Sequence, residues 1–124
     1  MLEYTSFCLI INVLYAYYNN DKIMHHLWLL ILCTSLIHHS SNYTHYYIGK
    51  CDVILVHIIS LIHIYMNIIN QKIFPYLVFI NFSLLFLITI IFYLNPNRTK
   101  LQHSFIHLSG IIVGCSTIYM KKMN

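Results

Sequence analysis

The chain has 124 residues, of which 59% are hydrophobic and 8% charged, with a mean hydropathy of +0.69. A soluble domain carries about 25% charged residues, and seven Lys or Arg with three Asp or Glu cannot coat a soluble particle of this size. Soluble, disordered, collagen-like and disulfide-scaffold classes are therefore excluded, and a single all-α domain embedded in a bilayer is expected over residues 1–124.

The formal charge of +4 is spread over isolated Lys and Arg, with only Lys121 and Lys122 adjacent. No basic patch suited to nucleic acid is present, so no nucleic-acid partner is expected. Cys8, Cys33 and Cys115 fall in apolar stretches, where a thiol acts as a small hydrophobe.

A helix needs about 20 apolar residues to cross the hydrocarbon, within a range of about 17–25. Five candidate spans follow in order, with four as the alternative count. Residues 2–18 form the first, short and closed by Asn19-Asn20-Asp21-Lys22. It lacks the positive start and small-residue cleavage site of a signal peptide, so an anchoring helix is expected. The second runs from about 23 to 40 around an apolar core at 27–36. A polar segment, 41–50, precedes the third span at 51–69. The fourth, 73–94, has Pro75 near its start and Asn95-Pro96-Asn97-Arg98 after it, positions where proline suits a helix boundary. The fifth covers 101–120 and ends at Lys121-Lys122. Short connections force neighbours to run antiparallel. Lys and Arg are shared almost evenly between the two sides, which leaves the orientation undetermined.

Ionisable groups inside spans cost about 2.5 kcal/mol or more and point to function. Here most of them gather at one depth, with His63, deep in the third span, and His25 and His26, at the opposite boundary, as the exceptions. Ser35, His38 and His39 sit at the exit of the second span, Asp52 and His57 at the start of the third, and His103 and His107 at the start of the fifth. With five antiparallel spans these ends share one side of the membrane. Ser35 and His39 are one helical turn apart, as are His103 and His107, so each pair shares a face. Extending the second stripe reaches Gly110 and Gly114, where small residues admit a close neighbouring helix.

Three imidazoles from two helices suit zinc, with the fourth position left for water as in catalytic sites. Zinc lowers the pKa of bound water to about 7. Asp52 is the candidate to orient or deprotonate that water, and Ser35 to hydrogen-bond water or a developing oxyanion. Blander readings stand beside these. Asp52 suits a helix N-cap, Ser35 can bond back to its own helix, and His57 and His63 read as packing histidines. His25, His26, Tyr17, Tyr18, Tyr43, Tyr46 and Tyr47 suit the headgroup level.

The pattern Ser35-x3-His39, then Asp52, then His103-x3-His107 resembles the signature of the CREST superfamily of membrane hydrolases, which includes alkaline ceramidases, adiponectin and progestin receptors, haemolysin-III-like and Per1-like proteins. The resemblance implies His39, His103 and His107 as zinc ligands, Asp52 as the water-directing group, Ser35 as a site-shaping hydroxyl, and hydrolysis of a lipid amide or ester. Members of that family carry seven spans, three of them between the Asp helix and the HxxxH helix. This chain has one there, which keeps both halves of the site on one face while reducing the bundle wall. Membrane lipid is the expected partner, and assembly into a homo-oligomer is compatible with the sequence. Two other classes remain: a non-enzymatic multi-pass channel or assembly partner, and a haem-binding electron carrier using histidines as axial ligands.

Overall fold

A computed structural model describes residues 2–40, 46–97 and 99–124 of the chain. The first half of the polar segment, 41–45 with Tyr43, and Arg98 lie outside the described residues. Among the described residues the fold is all-α, a bundle of five helical rods. The rods are α1 (Leu2–Phe7) continued by α2 (Ile10–Tyr18), then α3 (Lys22–Ser40), α4 (Tyr46–Asn70), α5 (Pro75–Thr89) and α6 (Lys100–Met123). Three of them have the length and apolarity to cross a membrane: Tyr47–Asn70, Pro75–Leu94 and Lys100–Met123. Their outward faces carry large exposed apolar side chains such as Ile54, Leu61, Phe79, Phe86 and Leu108, the surface a hydrocarbon solvent requires.

The first rod is broken. At Cys8 and Leu9 the ladder tightens to i→i+3 bonds, with Leu9 N donating to Ser6 O and Ile11 N to Cys8 O, each at 3.0 Å. Its far end closes in a Schellman motif: Asn20 N donates to Tyr17 O at 3.0 Å and Asp21 N to Ala16 O at 2.9 Å. Asn20 takes the left-handed backbone that this closure needs, with φ of 56°, a conformation asparagine tolerates better than most residues. Asp21 then starts α3 by accepting from Met24 N at 3.2 Å, and it holds Lys121 near the end of α6 at 2.8 Å.

α4 begins at Tyr46, so the helix takes in the last part of the polar segment and Asp52 lies inside it. Asp52 is therefore not an N-cap. α5 ends in a π-helical turn over Ile90–Leu94, a widening found often beside functional sites. α6 is opened by a capping box: Thr99 Oγ1 accepts from Gln102 N at 3.2 Å, and Gln102 Oε1 accepts from Thr99 N at 2.9 Å. This fixes the rotational phase of the helix just before His103.

α6 is the central rod, packed against α1, α2, α4 and α5, while α3 packs on α1, α2 and α4. The apolar core joins Leu9, Val13 and Ala16 of the first rod to Met24, Trp28 and Ile31 of α3, with Ile59 and Ile118. Gly114 makes the closest approach: a Cβ there would lie 2.5 Å from Asn12 Nδ2 and 2.6 Å from Trp28 Cζ2. Gly110 leaves more room, its nearest neighbour being Trp28 Cη2 at 3.9 Å.

Toward the other end, amides tie α4, α5 and α6 together. Asn81 Nδ2 donates to Asn67 Oδ1 at 2.9 Å, Ser116 Oγ donates to Asn81 Oδ1 at 2.7 Å, and Asn67 Nδ2 donates to His63 O at 2.7 Å. Asn67 and Asn81 are fully buried. In hydrocarbon such bonds act as interhelical glue, because the alternative is a polar group with no partner.

Candidate metal centre

The last turn of α3 delivers His39 and the first two turns of α6 deliver His103 and His107. Their rings meet edge to face, with centroids 4.8 Å apart for His39–His103, 5.2 Å for His39–His107 and 5.0 Å for His103–His107. One ring nitrogen from each lies within 4.8 Å of the others, and His107 is buried. A tetrahedral zinc bound at 2.0–2.1 Å sets its ligands roughly 3.4 Å apart, inside the 4.8 Å within which these three nitrogens lie. The donors are all imidazole, which suits a zinc site better than a calcium or magnesium one.

The orientation of His107 comes from the first rod. Its Nδ1 lies 3.0 Å from Thr5 Oγ1 and 3.5 Å from Ser6 Oγ. With Nδ1 engaged as a donor to those hydroxyls, Nε2 is the nitrogen left for an ion, the usual arrangement for a metal-bound histidine. Thr5 and Ser6 are the functional neighbours that sequence reasoning missed. A hydroxyl pair in an apolar span normally bonds back to its own helix, and nothing in the local sequence separates the two situations. Thr5→Val is expected to lower zinc affinity roughly 10- to 100-fold while leaving the bundle folded, measured by competition with a chelating dye.

Ser35 is buried and pairs with Ser6 Oγ at 3.0 Å across the α1–α3 contact. It thus joins a hydroxyl cluster behind His107. Asp52 is not a member of the set of ring nitrogens that lie within 4.8 Å of one another. Its Oδ1 accepts from Thr34 Oγ1 at 2.8 Å, which anchors the carboxylate to α3. His38 stacks beside His39 at 4.8 Å, and its ring occupies the space beside Gly49, where a Cβ would come within 2.9 Å of it.

A cavity of about 340 Å³ adjoins the cluster. Ser35, Asp52, His103 and His107 line it together with apolar side chains from Leu9, Ile31, Val56, Ile88 and Val113. His57 and Tyr93 also line it, in hydrogen-bonding contact with each other and both exposed. The π-helical turn of the fourth rod supplies Tyr93. His57 therefore bridges two rods, and His63 packs beneath, its ring 5.8 Å from that of Trp28. His25 and His26 lie elsewhere, with His25 against Tyr17 and the Val13 carbonyl.

Sequence and structure comparisons return no matching family model, curated protein or solved structure.

Proposed function

We propose that the protein is a zinc-dependent membrane hydrolase that cleaves an amide or ester bond of a lipid. The observation that carries this reading is the convergence of His39, His103 and His107 beside a largely apolar cavity that Asp52 and Ser35 also line. The motif resemblance to the CREST superfamily points the same way. Ring centroids of 4.8–5.2 Å leave no slot for a flat macrocycle between any two of the three histidines, which disfavours a haem carrier built on them.

His39, His103 and His107 would hold the zinc, which would lower the pKa of water there to about 7. The chain's own groups do the rest. Asp52 has Oδ1 engaged by Thr34, so Oδ2 is the atom to take a proton from water and pass it to the departing amine or alcohol. Ser35 is the hydroxyl offered to the carbonyl oxygen as charge develops on it. Thr5 and Ser6 hold the ring of His107 in place, and the apolar walls hold the acyl chain and exclude water.

The test is zinc-loaded protein in lipid nanodiscs, supplied with a fluorescent ceramide and a fluorescent lysolipid ester. Release of labelled fatty acid that stops on chelation supports the reading. Asp52→Asn is expected to lower the rate by about 10²–10⁴-fold with zinc content unchanged. Hydrolysis that continues unaltered in that variant removes the role assigned to Asp52, and zinc-loaded protein that cleaves neither lipid overturns the proposal.

A further inference from the structure

His63 is 3% exposed in the second half of α4, and among the described residues neither of its ring nitrogens has a hydrogen-bond partner. Trp28 on α3 is also 3% exposed, and its indole Nε1 likewise lacks a partner. Both side chains line the cavity that reaches the histidine cluster, with ring centroids 5.8 Å apart. Leaving such groups unpaired forfeits their hydration with no return, and intramembrane histidines are costly unless they serve a partner. Packing alone does not account for them, because a leucine or phenylalanine would fill the same volume without three unpaired nitrogens.

The position along the cavity is set by the helices. His63 lies about three turns beyond Asp52 on α4, roughly 16 Å at about 1.5 Å per residue. Trp28 lies two turns from Ser35 on α3, roughly 10 Å by the same rise. Between the two rings and the reacting end there is room for on the order of ten carbon–carbon bonds of an extended chain, each near 1.5 Å.

The hydrogen-bonding inventory narrows the ligand. Indole Nε1–H only donates, whereas a neutral imidazole offers one donor and one acceptor. A hydroxyl accepts from the indole and donates to the bare imidazole nitrogen at once. A ketone accepts only, and a methylene does neither. We infer that the cavity has a deep polar subsite, formed by His63 and Trp28, that selects an acyl chain bearing a hydroxyl near its middle. The inference rests on the cavity being the acyl-chain site of the proposed hydrolase, but it requires neither metal nor turnover.

The test uses metal-free full-length protein in nanodiscs and reads the fluorescence of Trp28, the chain's single tryptophan. Stearate, a mid-chain hydroxystearate and the matching ketostearate are titrated as mole fractions of the bilayer. The hydroxy acid is expected to bind roughly tenfold tighter than stearate, with the keto acid between them. His63→Leu is expected to abolish that preference while stearate still binds. Equal affinities of the wild-type protein for all three overturn the subsite while leaving the acyl cavity in place. A preference that survives in His63→Leu overturns it as well. Failure of every fatty acid to perturb Trp28 overturns the acyl-chain reading itself, whatever the outcome with metal.

Discussion

On the proposed reading that the trio holds zinc, replacing His107 with alanine is expected to abolish metal binding. Purified wild-type protein should carry about one zinc per chain after loading, and His107→Ala close to none, by elemental analysis of detergent-solubilised samples. The size of the effect follows from geometry. His107 is the buried member of the trio and the one whose second nitrogen is fixed by Thr5 at 3.0 Å, so its imidazole is oriented before the ion arrives. Its loss leaves two histidines on separate helices, and a two-ligand site holds zinc weakly. His39→Ala should behave alike, because it removes the sole contribution of α3. His26→Ala serves as the control: His26 is exposed on the first turns of α3 and its loss should leave zinc stoichiometry unchanged. Equal zinc in wild type and His107→Ala would show that the ion binds elsewhere.

The second large effect concerns the packing beneath the site. Gly114→Val places carbon where Asn12 Nδ2 and Trp28 Cζ2 already stand, at 2.5 and 2.6 Å from the first added atom. Neither neighbour has an easy retreat. Asn12 is held by its bonds to the Gly110 carbonyl at 3.2 Å and to Cys115 Sγ at 3.0 Å, and Trp28 is buried in the core. Overpacking of this kind costs about 1–3 kcal/mol, which thermal unfolding in detergent should register as a clearly lower midpoint. Gly110→Ala is the contrasting substitution. Its new methyl meets Trp28 at ordinary van der Waals distance, 3.9 Å, and helix propensity favours alanine. It is expected to be neutral or slightly stabilising. If both substitutions prove equally harmless, the first rod and α3 do not approach α6 as closely as described.

These glycines also illustrate what could be read without coordinates. Their spacing from His103 identified the stripe that faces other helices, but two positions on one stripe look alike in sequence. Which of them bears the close contact depends on where Trp28 and Asn12 cross α6, and crossing points are tertiary facts. The apolar runs of the last three rods were legible because a hydrocarbon solvent demands length and apolarity of a spanning helix. The helical spacing of His103 and His107 was legible for the same reason, since a span must be helical. The T-x-x-Q spacing of Thr99 and Gln102 has no place in the sequence reading, and the capping box it forms starts α6 at Lys100, one residue before the expected span. Other features were hidden. The beginning of α4 at Tyr46 lies in residues too polar to mark a span, because a helix continues past the hydrocarbon boundary wherever its backbone bonds are kept. The π-helical turn at Ile90–Leu94 leaves no compositional trace. Thr5, Ser6 and Thr34 acquire meaning only through partners on other rods, His107, Ser35 and Asp52. The sequence marks His63 only as a packing histidine; its ring packs against Trp28, and its ring nitrogens have no partner among the described residues.

The bond between Thr5 and His107 joins residues 102 positions apart, with His39 lying between them in the chain. During synthesis the first and second rods are complete long before the last one exists. Until α6 is delivered, His39 has no companions and Thr5 has nothing to steady. Assembly of the histidine cluster is therefore a late event in biogenesis, gated by arrival of the final helix, and a ribosome-stalled intermediate ending before residue 100 would hold His39 without His103 or His107.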